Sequence, residues 1–167
     1  MKKMMYLLMM ATLLITSAMA SSDPFAGKWV LDPHRSKYPT GTCPKRLVIE
    51  MEPAGRGIHY RSDTTYANGY TTHVQYTADY KGKQAIVTGA HGFLLPVSLK
   101  RMDSHSVIAS YTKMFQVVAT SRRVVSQDGR QMTITTTSRD QSGKKVTTVG
   151  VYKRQSIRDL IARVGGK

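Results

Sequence analysis

Beyond residue 26 the chain alternates apolar and polar side chains in short runs cut by tight-turn signals, the period of two that belongs to half-buried strands. The cleanest run spans 70–80, where Tyr70, Thr72, Val74, Tyr76, Ala78 and Tyr80 share one face and Thr71, His73, Gln75, Thr77 and Asp79 the other. Residues 58–66 alternate likewise, with Ile58, Tyr60, Ser62, Thr64 and Tyr66 opposite His59, Arg61, Asp63 and Thr65. Between the two runs, Asn68-Gly69 suits the positive φ angles of a tight hairpin. Further strands are predicted at 27–32, 45–52, 84–88, 97–102, 106–112, 115–126, 132–139 and 145–154, with turns at 53–57, 81–83, 103–105, 127–129 and 140–143. Pro33, Pro39, Gly41 and Pro44 make 33–44 an irregular connector with room for one helical turn at 34–38. Residues 89–96 read as a flexible loop whose apolar tip, Phe93, Leu94 and Leu95, makes it a candidate lid. A meander of this size usually hides its edges by closing. The expected fold is therefore all-β, a single antiparallel up-and-down β-barrel of roughly 8–10 strands. Ser156 as a cap, followed by Ile157, Leu160, Ile161 and Val164 at helical spacing, predicts a short C-terminal amphipathic helix within 155–167.

What precedes the meander changes its setting. Lys2 and Lys3 form a positive start, residues 4–15 are almost wholly apolar, and Ala18-Met19-Ala20 supplies a small-x-small cleavage pattern. Residues 1–20 thus read as a signal peptide, shorter than a bilayer span and without the Cys of a lipoprotein site. The expected domains are a leader at 1–20, a barrel at 21–154 and a tail at 155–167; the expected location is the periplasm or the outside of the cell. Cys43 is the single cysteine, so no intramolecular disulfide is available; a buried inert thiol is one reading, and its loop-like Thr42-Cys43-Pro44 setting leaves open a free thiol that pairs two chains or reacts.

Charge adds a possible partner class. The whole chain carries 25 Lys and Arg against 10 Asp and Glu, a formal net charge of +15, of which the leader supplies two. Such a surface attracts anionic ligands, anionic membranes or nucleic acid, yet its densest clusters, Lys100-Arg101, Arg122-Arg123, Lys144-Lys145 and Lys153-Arg154, are only pairs near strand ends. No zinc-finger, helix-turn-helix or aromatic-glycine RNA motif accompanies them, which makes nucleic acid a minor alternative. A merely basic, solvated exterior explains the same charges.

Catalytic chemistry finds no motif. His34, His59, His73, His91 and His105 are scattered without metal-ligand spacing, no Gly-x-Ser-x-Gly elbow occurs, and 89–92 lacks the ending of a phosphate loop. No metal, no cofactor and no enzymatic activity are expected. Binding has better candidates: inward Tyr and Arg side chains can hold an amphipathic molecule, rings covering its apolar part and a guanidinium pairing its acid. Tyr60, Tyr70, Tyr76, Tyr80, Tyr111 and Tyr152 are available for this, although alternation shows which residues share a face, not which face is inside.

Gly27-Lys28-Trp29 resembles the Gly-x-Trp that opens lipocalins and fatty-acid-binding proteins, and 127–135 followed by Val151-Tyr152-Lys153-Arg154 is similar to the terminal strands of the fatty-acid-binding proteins. Small bacterial exported lipocalin-like proteins keep this ending. The resemblance implies a calycin-type barrel, a hydrophobic or amphipathic ligand, and a barrel-closing role for Trp29. In the family, an Arg-x-Tyr ending holds the ligand's carboxylate. Here Gly150-Val151-Tyr152 keeps the Tyr and lacks the Arg, while Arg123 matches the family's second inward Arg if one extra residue is allowed. Tyr152, Arg123, Tyr111, Tyr76 and Tyr60 are accordingly the expected ligand contacts. Three functions follow in order: an exported barrel holding a small hydrophobic or anionic amphipathic ligand, a filled barrel acting through its basic surface on an anionic membrane or other polyanion, and an enzyme on the same barrel.

Overall fold

The computed structural model describes residues 23–90 and 95–156. Eleven strands follow in chain order: β1 Gly27–Leu31, β2 Arg46–Ala54, β3 Gly57–Thr65, β4 Thr71–Asp79, β5 Lys81–Ala85, β6 Thr88–Ala90, β7 Val97–Asp103, β8 Ser106–Lys113, β9 Gln116–Val125, β10 Gln131–Arg139 and β11 Lys145–Arg154. They form one antiparallel sheet in the order β5-β7-β8-β9-β10-β11-β1-β2-β3-β4-β6. The last strand returns beside the first, with Trp29 opposite Arg154 and Leu31 opposite Tyr152, so the sheet curls into a barrel. The expected helical turn is a short 3-10 helix at Pro33–Arg35. The leader lies outside the described residues, as does the expected tail helix beyond Ser156.

The expected meander first fails after β4. Lys81-Gly82-Lys83 is not a turn: β5 begins two residues after β4 ends, and the chain runs on without reversing. Gly82 sits at φ +87° where the β5–β7 register shifts between Lys81 and Gln84. An extra residue at such a bulge bends a strand, and glycine takes the left-handed angle without a steric penalty. At the bend the Tyr80 N–H donates to the Arg56 carbonyl while the Tyr80 carbonyl accepts from the Arg101 N–H. The chain thus passes from β3 to β7 and closes the curl at this end. The expected strand at 84–88 is likewise divided: β5 stops at Ala85, and Thr88–Ala90 turns back as β6 along β4, taking the first two residues of the expected loop with it.

Alternation decides the interior. The core gathers Trp29, Ile49, Met51, Ile58, Leu99, Val107, Val125 and Met132, all but fully buried, and each such side chain contributes about 1.5–3 kcal/mol of burial free energy. The closed end is sealed by polar contacts. The Trp29 indole donates to the Phe25 carbonyl at 2.9 Å, and the Arg154 guanidinium lies 4.3 Å from the Trp29 ring. Arg154 also donates to the carbonyls of Gly129, Pro24 and Ala26, joining the N-terminal segment to the β9–β10 turn. Nearby, Asp23 accepts from Arg101 at 2.6 Å and from Tyr80 at 2.7 Å. Trp29 therefore stands at the barrel's closed end.

Candidate ligand site

Above the apolar core, the inward positions of β3, β4, β8, β9 and β11 bring together Tyr60, Tyr76, Tyr111, Arg123 and Tyr152. Arg123 is only 3% exposed. Its Nη2 donates to the Tyr111 hydroxyl at 3.2 Å, and its guanidinium lies 5.0 Å from the centre of the Tyr60 ring. Tyr60 stacks on Tyr76 with centroids 4.7 Å apart and ring planes 12° from parallel. Because β9 and β3 are far apart in the sheet, the Arg123–Tyr60 contact crosses the interior and floors whatever space lies beyond it. Two polar atoms of this floor, Arg123 Nε and the Tyr76 hydroxyl, are buried without a hydrogen bond. Among the described residues every ion-paired carboxylate sits elsewhere, on Lys28, Arg61, His73, Arg101 or Lys153.

Tyr152 reaches the floor by an unusual route. Gly150 also points inward, and a Cβ there would lie 2.7 Å from Tyr152 Cε2, 2.8 Å from the Tyr152 hydroxyl and 3.0 Å from the Tyr38 hydroxyl. The Tyr152 phenol thus folds back over Gly150, and with Tyr38 it occupies the volume that a side chain at 150 would fill. Tyr38 arrives because the connector after the 3-10 helix runs along β11. Lys37 and Val149 exchange backbone hydrogen bonds of 2.7 and 2.8 Å, and the Val151 N–H donates to Ser36 Oγ. The pattern along the chain gives Tyr38 no face, since it stands in a Pro-flanked stretch without alternation.

Electrostatics make the floor a lone cation among neutral phenols. Burial raises Tyr60, Tyr76 and Tyr152 above the ordinary tyrosine value, with Arg123 pulling each partly back. Tyr38 is raised by burial too, against the opposing effect of its hydrogen bond with Tyr152. Burial also works against the charge on Arg123, but the surrounding oxygens of Tyr76, Tyr111 and Tyr60 outweigh it and hold the guanidinium charged.

A cavity of about 350 Å³ opens towards the barrel mouth, lined by Leu95, Tyr111, Val118, Ala119, Thr136, Ser138 and Arg139. That volume suits a small ligand. Tyr111 belongs both to this cavity and to the floor, so a molecule lying in it reaches Arg123 through Tyr111. Of the candidate lid, Leu95 forms part of the cavity wall, while Phe93 and Leu94 lie outside the described residues. Tyr70 stays at the exposed rim and Tyr80 at the closed end, so neither joins the cluster. No group of metal-ligating side chains occurs among the described residues.

The chain is thus a curled antiparallel β-barrel whose closed end is sealed by Trp29 and Arg154. Among solved structures the chain is similar to zebrafish ileal bile acid-binding protein complexed with cholic acid, with a TM-score of 0.54 and 16% identity over 79% of this chain and 99% of that one. It is also similar to apocrustacyanin C1, with a TM-score of 0.39 and 11% identity over 84% of this chain and 67% of that one. No family model and no curated protein matches the chain. The fold is thus the fatty-acid-binding-protein type of barrel that Gly27-Lys28-Trp29 and the terminal strands led one to expect.

Proposed function

We propose that this chain is an exported, non-enzymatic binding protein that holds one small anionic amphipathic molecule, its acid group against Arg123 and its apolar part in the mouth cavity. The observation that carries this reading is the buried guanidinium without a carboxylate. The tyrosine oxygens sustain the charge on Arg123 but none of them is a carboxylate, and an incoming acid group would neutralise it through short charge-assisted hydrogen bonds. Arg123 Nε and the Tyr76 hydroxyl, which form no well-aligned hydrogen bond although the two residues lie close enough to influence each other, are placed to make them. Cholic acid, bound by the zebrafish protein, is an amphipathic carboxylic acid of the kind proposed. The leader supports export. The chemistry of the cluster supports binding over catalysis, because phenols pushed to higher pKa are poor bases near neutrality and no histidine stands among them.

The test is displacement of an environment-sensitive fluorescent probe from the barrel by dodecanoate and by dodecanol. Wild type should prefer the acid at least tenfold. In Arg123→Gln the acid should lose that preference while the alcohol binds as before. Equal affinity of wild type for the two, or equal loss of both in the variant, would overturn the proposal.

A further inference from the structure

At the mouth, β8 and β9 are joined by a two-residue turn, Met114-Phe115, with Lys113 paired to Gln116 across it. Both turn residues have positive φ, 46° and 64°. That geometry suits the right-handed twist of a hairpin and is normally built from Asn-Gly, because a side chain of ordinary size is strained there. Met and Phe are poor choices for the turn. They are equally poor choices for solvent: Met114 is 84% exposed and Phe115 wholly so, the most exposed large apolar side chains among the described residues. Val117, two residues on, is exposed as well. Neither backbone preference nor core packing accounts for apolar side chains here, and strain of this kind clusters where a protein meets a ligand or partner.

The surroundings say what the tip meets. Val117 shares a surface recess with Arg139 and Lys145. Lys113 and Lys144 are exposed beside them at the hairpin ends. The nearby Asp140 turns inward on its own loop, where its carboxylate accepts from the Ser142 and Lys144 backbone and the Ser142 hydroxyl. Protruding Met and Phe tips ringed by cations are complementary to an anionic lipid surface, into which the apolar pair inserts while the cations face the headgroups. The formal charge of +15, or +13 without the two leader lysines, draws the whole molecule towards such a surface.

We propose that the β8–β9 tip docks the mouth of the barrel onto anionic membranes. This stands apart from the ligand at Arg123, because the tip meets lipid whether the barrel is loaded or empty. Co-sedimentation with vesicles of phosphatidylcholine containing one quarter phosphatidylglycerol provides the test, with pure phosphatidylcholine alongside. Wild type should partition onto the anionic vesicles at low salt and at least tenfold less onto the neutral ones. The double variant Met114→Asn/Phe115→Gly replaces the strained turn by the preferred one. It should melt at a higher temperature than wild type and yet lose at least tenfold in vesicle partitioning. Lys113→Gln/Lys145→Gln should weaken partitioning at low salt only. Wild type that ignores anionic vesicles, a turn variant that binds them undiminished, or a tip that instead drives concentration-dependent self-association in sedimentation would each overturn the proposal.

Discussion

Arg123 is placed inside by strand alternation alone, two residues from inward Ser121 and Val125, and nothing in the fold requires its charge. Replacement by a flexible apolar residue should therefore separate stability from binding. Arg123→Met is expected to raise the empty protein's stability by about 1–3 kcal/mol while lowering affinity for an acid ligand at least tenfold. Thermal melts and probe titration on the same samples check this; a clear loss of stability would mean that the guanidinium serves the fold. Arg154 presents the opposite case, with carbonyl partners at Gly129, Pro24 and Ala26 and Trp29 beneath it. Arg154→Ala should destabilise by about 2–3 kcal/mol, and Lys should restore little because one ammonium cannot span three carbonyls. The two arginines differ in how legible they were. Alternation and the family likeness pointed to Arg123 and its tyrosines. Arg154 reads as half of an ordinary basic pair, since Pro24, Ala26 and Trp29 lie more than a hundred residues away in sequence and Gly129 belongs to a different turn.

Strands with clean alternation, such as β3 and β4, were readable almost to the residue, because one buried face fixes their register. Two turns were not. Lys81-Gly82-Lys83 has turn composition, but its glycine serves a bulge that lets one chain path pair with β3 and then with β7. Met114-Phe115 has strand composition and forms a turn, the local preference being overruled there. The connector hid Tyr38 for a similar reason, as its place against β11 depends on the Lys37–Val149 pairing rather than on any local period. Gly150 tests this packing directly. Gly150→Ala places a methyl against Tyr152 and Tyr38 and should destabilise by about 1–3 kcal/mol, with a changed near-ultraviolet circular dichroism from displaced tyrosines. If stability and spectrum both match wild type, the phenols do not fill that volume.

The barrel as a whole is divided: apolar and sealed around Trp29, polar at the level of Arg123, open beyond it. Its alkaline behaviour follows from the middle layer. Tyr60, Tyr76 and Tyr152 have folded pKa values above the ordinary value of 10.0, so folding favours their neutral form. The stability this contributes is complete below about pH 10 and is lost as pH rises towards the folded values. Denaturant midpoints should be insensitive to this layer near neutrality and fall above pH 10. Phenolate absorbance should show the buried set, Tyr60, Tyr76 and Tyr152, ionising only as the protein unfolds. The charge and the curl were apparent along the chain; the depth of the open part was not, because it depends on side chains meeting across the interior. The central claim is that an acid group rests on Arg123, and carbon NMR of carboxyl-labelled dodecanoate bound to the protein tests it most directly. Bound to wild type, the carboxyl resonance should stay at its ionised position as pH falls to about 4 and below, since an adjacent guanidinium lowers a carboxyl pKa markedly. Bound to Arg123→Gln, it should titrate near the value of the free acid. A wild-type resonance that titrates as the free acid does would contradict the claim.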